Sequence, residues 1–219
     1  MQQLKGIIFD LDGVITDTAE YHYLAWKQLA EDLGIPFDRT FNEKLKGISR
    51  MESLEIILEE GNITLSEEEK QRQAAQKNEH YKTMIEKITP DDLLPGVKSF
   101  MEEAKAAGLK TALASASKNA QAVIERLEVT HLLDSVVDAA TVKQGKPHPE
   151  VFLRAAEQIG LNASECVGVE DAQAGVKAIK AADMFAVGVG DPVSLQEADW
   201  VIQDTKLLTL DALKEKLNK

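Results

Sequence analysis

Only one cysteine, Cys166, occurs among the 219 residues. That excludes an internal disulfide framework and any multi-cysteine zinc site. Cys166 sits in the apolar run Cys166-Val167-Gly168-Val169 and reads as a buried, inert thiol. No apolar run approaches the roughly 20 residues that a membrane span needs, so no membrane partner is expected. Met1–Lys5 lacks a signal-peptide pattern and leads directly into a strand-like run, which makes a cytoplasmic location the expectation. Cations are in deficit: Lys and Arg total 25 against 37 Asp and Glu, a net charge of −12. Nucleic acid and anionic lipid both need a basic face, so neither is an expected partner. A phosphate bound here must be held by a local cluster of cations, dipoles or metal. The chain has no G-x-x-x-x-G-K-[ST] loop, and Gly188-Val189-Gly190 lacks the third glycine of a dinucleotide fingerprint.

What is present suits a packed α/β protein. Hydrophobic residues make up 44% and charged residues 28%, ordinary for a folded domain. Short runs rich in β-branched residues occur at Gly6–Phe9, Lys110–Ala114, Cys166–Val169, Phe185–Val189 and Trp200–Ile202, with Val136–Val137 a further short candidate. Helical periodicity lies between most of them: Gly96–Ala107, Asn119–Leu127, Pro149–Ile159 and Ala172–Ala182. Continuous apolar strands separated by helices predict a parallel sheet covered on both faces. Asp183 falls where one helix ends, in a position that calls for a left-handed residue.

Residues 18–89 break this alternation. The stretch has no strand pattern and reads as helices at Ala19–Leu33, Met51–Glu60 and Ser66–Ile88, with Ser66-x-x-Glu69 at capping-box spacing. The expected organisation is a core domain of residues 1–17 and 90–219 with a helical domain, 18–89, inserted after the first strand; both junctions would be hinges.

In an open parallel sheet, ligands bind beyond the carboxyl ends of the strands. Asp10-Leu11-Asp12-Gly13 follows the first strand, Ser115-Ala116-Ser117-Lys118-Asn119 follows another, Lys146-Pro147 precedes a helix, and Glu170-Asp171 follows Cys166–Val169. Four acids so close cannot all stay ionised without compensation. A hard divalent cation with oxygen ligands resolves this, and Mg²⁺ needs few protein ligands. Asp10, Glu170 and Asp171 contribute −3, Mg²⁺ +2 and Lys146 +1. The sum is zero if Asp12 is protonated, and a neutral Asp12 is a general acid. Phosphoryl transfer fits this inventory, because its transition state needs positioning and charge stabilisation more than covalent elaboration. Asp10 can act as nucleophile and carry the phosphoryl group. The spacing of two puts Asp10 and Asp12 on one side of an extended chain.

With 15 Asp in the chain, roughly one D-x-D is expected by chance. The weight lies in four motifs, all at strand exits and in one order. Together, Phe9-Asp10-Leu11-Asp12-Gly13-Val14, Ser115-Ala116-Ser117, Lys146-Pro147 and Glu170-Asp171 resemble the four motifs of the haloacid dehalogenase-like superfamily. That resemblance implies a Rossmann-like, doubly wound parallel core with an all-helical cap.

Within the superfamily, Ile15-Thr16-Asp17-Thr18-Ala19-Glu20-Tyr21-His22 and Leu45-Lys46-Gly47-Ile48-Ser49-Arg50 resemble the sugar-phosphate mutases. The implied reaction interconverts β-D-glucose 1-phosphate and β-D-glucose 6-phosphate through β-D-glucose 1,6-bisphosphate. By the same resemblance Asp10 is the phosphorylated nucleophile and Asp12 the acid/base. Mg²⁺ would take Asp10, the Asp12 backbone carbonyl, Glu170 and Asp171. Ser115 and Lys146 would bind the transferring phosphate, and Arg50, Ser117, Lys118 and Asn119 the distal one. Gly47 and Ile48 would line the sugar. Thr18, His22 and Lys77 would support the closed state. Trp26, Lys46, Ser53 and Ala116 complete the expected substrate contacts, although Trp26 reads more readily as cap core or interface, and His22 equally as a structural hinge residue. A monomer is expected. A phosphatase on the same core and a non-catalytic sugar-phosphate sensor remain the alternatives.

Overall fold

The computed structural model describes residues 4–218; Met1–Gln3, part of the N-terminal expectation, lie outside them. In chain order the elements are β1 (Gly6–Phe9), α1 (Ala19–Asp32), α2 (Arg39–Asn42), α3 (Arg50–Glu60), α4 (Glu67–Ile85), α5 (Val97–Ala106), β2 (Lys110–Leu113), α6 (Ala120–Arg126), β3 (Ser135–Val136), α7 (Glu150–Gln158), β4 (Cys166–Glu170), α8 (Gln173–Ala181), β5 (Phe185–Val189), β6 (Trp200–Ile202) and α9 (Leu210–Leu217). The strands form one sheet in the order β3-β2-β1-β4-β5-β6. Every pair in it is parallel.

The alternating directions of strand side chains decide how the sheet is covered. Ile7 and Phe9 of β1 join Leu113, Val167, Val169 and Val187 in one apolar layer with residues of α5, α6 and α9. Ile8 joins Ala112 and Ala186 in the opposite layer, against Val151, Phe152 and Ala155 of α7 and Val176 and Ile179 of α8. Each fully buried Ile or Phe contributes about 1.5–3 kcal/mol, which is why both faces of the sheet need helices. Cys166 is buried in the second layer, and burial pushes its thiol up to about 12. Asp183 takes the left-handed conformation expected after α8, at φ 60°.

The strand order reverses at β1, which pairs with β2 on one side and β4 on the other. Its carboxyl end is therefore the switch point of the sheet. Helices α1–α4 all lie between β1 and β2 in sequence and gather their own apolar cluster, including Trp26, Leu29, Ile35, Leu54, Ile57 and Leu58. Ser49 with Glu52 and Ser66 with Glu69 form complete capping boxes at the starts of α3 and α4. The two chain passages joining this insertion to the sheet lie side by side: Leu94 N donates to Ile15 O at 2.9 Å, and Thr16 Oγ1 donates to Asp92 O at 2.7 Å. Among the described residues no helix is long and apolar enough to cross a membrane.

Candidate active site

Three motifs meet at the carboxyl end of β1. Lys146 Nζ lies 2.7 Å from Asp10 Oδ1 and 2.7 Å from Glu170 Oε2. Lys146 and Glu170 are 1% and 0% exposed, so this ion triad is sealed from water and its charges are weakly screened. Glu170 Oε1 also accepts from the N–H groups of Asp171 and Ala172, at 3.1 and 3.0 Å. Burial lowers the Lys146 pKa, but Asp10 and Glu170 outweigh it and raise the ammonium above its usual range. Burial, then the Glu170 charge, pushes Asp10 up to about 6. The same causes, with Asp10 third, hold Asp171 well above the usual carboxylate range.

β1 ends at Phe9, so Asp10 and Asp12 are not held on one side by strand alternation as the spacing predicts. Residues 11–16 fold into a turn instead, with Gly13 N donating to Thr16 O at 2.8 Å and three following N–H groups converging on Leu11 O. Gly13 is required there: its φ is +71°, and a Cβ would stand 2.3 Å from Asp171 Oδ2. The turn nevertheless brings both aspartates to the wall of one cavity. The Thr18 hydroxyl donates to Asp12 Oδ1. Burial, then the Asp10 charge, pushes Asp12 up to about 8, so it carries a proton at neutral pH. Lys77 Nζ lies 3.0 Å from His22 Nδ1, and His22 Nε2 lies 3.9 Å from Asp12 Oδ2. Burial, then Lys77 and Arg50, holds His22 well below its usual pKa, so the ring is neutral.

The cavity has a volume of about 370 Å³ and is walled by both the insertion and the core. Asp10, Asp12, Asp171 and Ser115 stand on its wall, as do Arg50, the first residue of α3, and Ser117, Lys118 and Asn119, which run into α6. The stretch from Ser115 to Asn119 is organised by its own bonds: Ser115 Oγ accepts from Ser117 N at 3.1 Å, Ser117 Oγ from Asn119 N at 3.3 Å, and Asn119 Nδ2 donates to Asn78 Oδ1 at 2.9 Å. Trp26, His22, Lys46, Gly47, Ile48, Ser53, Lys77 and Ala116 also line the cavity. Trp26 belongs at the same time to the apolar cluster of the insertion. Gly47, at φ +74°, brings its loop so near the core that a Cβ would sit 3.1 Å from Ala172 Cβ. Three of the expected residues stand behind the wall rather than on it. Thr18 and Glu170 support Asp12 and Lys146 from behind, and Lys146 lines a smaller adjoining cavity.

One oxygen from each of Asp10, Glu170 and Asp171 lies within 4.8 Å of the others. Three carboxylates with one ammonium leave an excess of −2, and the donors are all oxygen. That set fits a hard divalent cation and not a soft one. The carboxylate of Asp12 is turned to Thr18 and His22 instead, which leaves only its backbone carbonyl for the group.

The sequence reading missed Asn42, Leu45, Met51, Gln71, Ala74 and Asn78, all on the cavity wall. A signal existed for the last three. Gln71, Ala74, Ala75 and Asn78 recur at helical spacing and form the cavity-facing stripe of α4. Tyr81, one turn further, donates its hydroxyl to Thr18 Oγ1 at 3.3 Å and packs on His22 with ring centroids 4.1 Å apart.

Comparisons with known proteins agree with this geometry. The chain is 49% identical to a β-phosphoglucomutase of Bacillus subtilis over 97% of its own length and 95% of that protein. The crystal structure of a β-phosphoglucomutase from Clostridium difficile superposes with a TM-score of 0.97 at 49% identity, covering 99% of this chain and 98% of that one. A phosphorylated carbohydrates phosphatase of Thermotoga maritima is 29% identical over 98% of the chain and all of its own length. The profile of the haloacid dehalogenase-like hydrolases matches residues 4–183, and the chain belongs to that family.

Proposed function

We propose that the protein is a β-phosphoglucomutase, interconverting β-D-glucose 1-phosphate and β-D-glucose 6-phosphate through an aspartyl-phosphate and a β-D-glucose 1,6-bisphosphate intermediate. One observation carries the reading: the extended likeness to β-phosphoglucomutases coincides with a cavity lined both by the acids Asp10, Asp12 and Asp171 and by the cations Arg50 and Lys118. A hydrolase needs one phosphate site. A mutase must hold two phosphates at once and let the bisphosphate reverse.

In this mechanism a carboxylate oxygen of Asp10 attacks phosphorus, and the bond from phosphorus to the sugar oxygen breaks. Asp12, held protonated, delivers its proton to the departing oxygen. In the second half the sugar hydroxyl returns a proton to Asp12 and attacks the aspartyl-phosphate. Lys146 offsets charge between Asp10 and Glu170, and the Ser115 hydroxyl steadies the phosphoryl oxygens. Arg50, Ser117, Lys118 and Asn119 hold the distal phosphate, Arg50 with a bidentate fork. Asp10, the Asp12 backbone carbonyl, Glu170 and Asp171 would hold Mg²⁺, which would supply Lewis-acid stabilisation of the phosphoryl charge.

Residues 18–89 act as a cap that hinges at its two junctions with residues 1–17 and 90–219. Closure excludes the water that would otherwise hydrolyse the aspartyl-phosphate. We propose a monomer that acts on small sugar phosphates in the cytoplasm.

The test supplies β-glucose 1-phosphate, Mg²⁺ and a trace of the bisphosphate, and measures glucose 6-phosphate against inorganic phosphate. Glucose 6-phosphate is the expected main product. Mostly inorganic phosphate overturns the mutase in favour of a phosphatase, the activity named for the Thermotoga relative.

A further inference from the structure

We propose that Glu52 of the cap, seated against Gly145 of the core, is the seal that keeps water from the aspartyl-phosphate. It is thus a positioning residue that sets how Asp10-bound phosphate divides between sugar and water. The inference rests on the mutase reading. A second cavity of about 210 Å³ adjoins the first and reaches Ser115 and Lys146 from the far side. The two cavities share Ser49, Ser115, Ala116, Ala139 and Val142, so only a thin wall divides them. Cap and core close over the second cavity where Glu52 meets Gly145. A Cβ on Gly145 would stand 2.7 Å from Glu52 Oε2 and 3.4 Å from its Cδ. Glu52 is exposed, so the carboxylate stands at the mouth of this side cavity.

That carboxylate is held by the capping box of α3. Glu52 Oε2 accepts from Ser49 N at 3.0 Å, and Glu52 N donates to Ser49 Oγ at 3.3 Å, which caps α3. The next residue, Arg50, is the first of α3 and one of the groups proposed for the distal phosphate. Any side chain at Gly145 must displace the Glu52 carboxylate, open the capping box or hold the cap ajar. In each case water reaches phosphorus by the side cavity. Its oxygen bonds to phosphorus, the bond to the Asp10 carboxylate breaks, and the water's proton passes to solvent through the side cavity. Inorganic phosphate is released and free Asp10 is regenerated.

The experiment loads Asp10 with acetyl phosphate and follows release of inorganic phosphate without sugar, then measures the ratio of glucose 6-phosphate to inorganic phosphate with sugar. Gly145→Ala and Glu52→Ala are each expected to raise phosphate release roughly fivefold, the effect of losing about one capping interaction. Glu52→Gln, which fills the same space, is expected to stay within about twofold of wild type. In Gly145→Ala/Glu52→Ala the new methyl occupies part of the space vacated by Glu52, so release falls below that of either single variant. Melting curves accompany each variant, and the Glu52→Gln and Glu52→Ala pair carries the test if Gly145→Ala does not fold. Release unchanged in Glu52→Ala, equal leakage in Glu52→Gln and Glu52→Ala, or a double variant equal to the product of the singles overturns the seal. The wild-type product ratio tests the mutase reading separately, because release from loaded Asp10 is measurable in a phosphatase too.

Discussion

Lys77 Nζ lies 3.0 Å from His22 Nδ1. Where Lys77 is charged, its ammonium can only donate to Nδ1, which leaves the ring proton on Nε2. Nε2 is buried and has no hydrogen-bond partner among the described residues, and it lies 3.9 Å from Asp12 Oδ2. Four residues thus run from α4 to the proposed acid: Lys77, His22, Asp12 and Thr18.

The same contact predicts an unusual pH dependence. Burial, then the Arg50 charge, pulls Lys77 down to about 7, against the opposing pull of Asp12. Cation–π contacts with Trp26 at 4.5 Å and Tyr81 at 5.0 Å do not reverse the shift. Below pH 7 the lysine is charged in both folded and unfolded chains, and the full cost of burying it is present. Between pH 7 and 10.5 the unfolded chain binds the extra proton, so this contribution to stability improves as pH rises. Lys77→Met removes the buried charge and keeps the length. It is expected to raise the melting temperature by about 2–4 °C at pH 6, where ~1 kcal/mol corresponds to such a shift in a chain of this size, and by less at pH 9. A gain at pH 9 equal to that at pH 6 rules the buried charge out as the cause. Activity falls in the same variant, because His22 loses its partner.

Glu170 is held from below by α8. A Cβ on Gly175 would stand 1.8 Å from Glu170 Oε2 and 2.0 Å from its Cδ. Glu170 cannot yield without losing Lys146 and the two backbone N–H groups it accepts from. Gly175→Ala is therefore expected to weaken Mg²⁺ binding about 10–100-fold, the scale seen when groups supporting metal ligands are disturbed. It should also lower stability by about 1–3 kcal/mol. Isothermal titration with Mg²⁺ and denaturant unfolding check the two effects. Unchanged Mg²⁺ affinity removes Glu170 from the metal group.

The sheet was legible because its strands are short, continuous apolar runs. Gly6–Phe9, Phe185–Val189 and Trp200–Ile202 are strands at the residues expected. Where local signals compete, the reading slips. The apolar pair Val136–Val137 suggests a strand, and the ladder instead uses Ser135–Val136, because Leu113 pairs with Val136. Leu210, Leu213 and Leu217 repeat at helical spacing on α9, a helix absent from the expectation. α2 has four residues and is fixed by Asp38 accepting from Phe41 N at 2.7 Å, too local a device for periodicity to reveal. The core of the site follows from strand exits, since topology alone collects them at the end of β1. The cap wall does not, because which face of α4 meets the core depends on long-range packing.

The distal end of the cavity yields a final prediction. Arg50 is the first residue of α3, and burial lowers its pKa against the pull of Glu79 and Tyr81, a cost expected of a guanidinium kept for an anion. Among the described residues Arg50 makes no hydrogen bond or ion pair with a protein acceptor, unlike Arg39 and Arg154, which pair with Glu20 and Glu150. If it holds the distal phosphate with two charge-assisted bonds, Arg50→Ala should lower transfer to the sugar phosphate by roughly 100-fold, the equivalent of about 3 kcal/mol. Hydrolysis of acetyl phosphate involves no distal phosphate and should change by less than about threefold. Both rates can be measured on one preparation. Equal losses in the two reactions count against a distal site and place the effect of Arg50 on the cap as a whole.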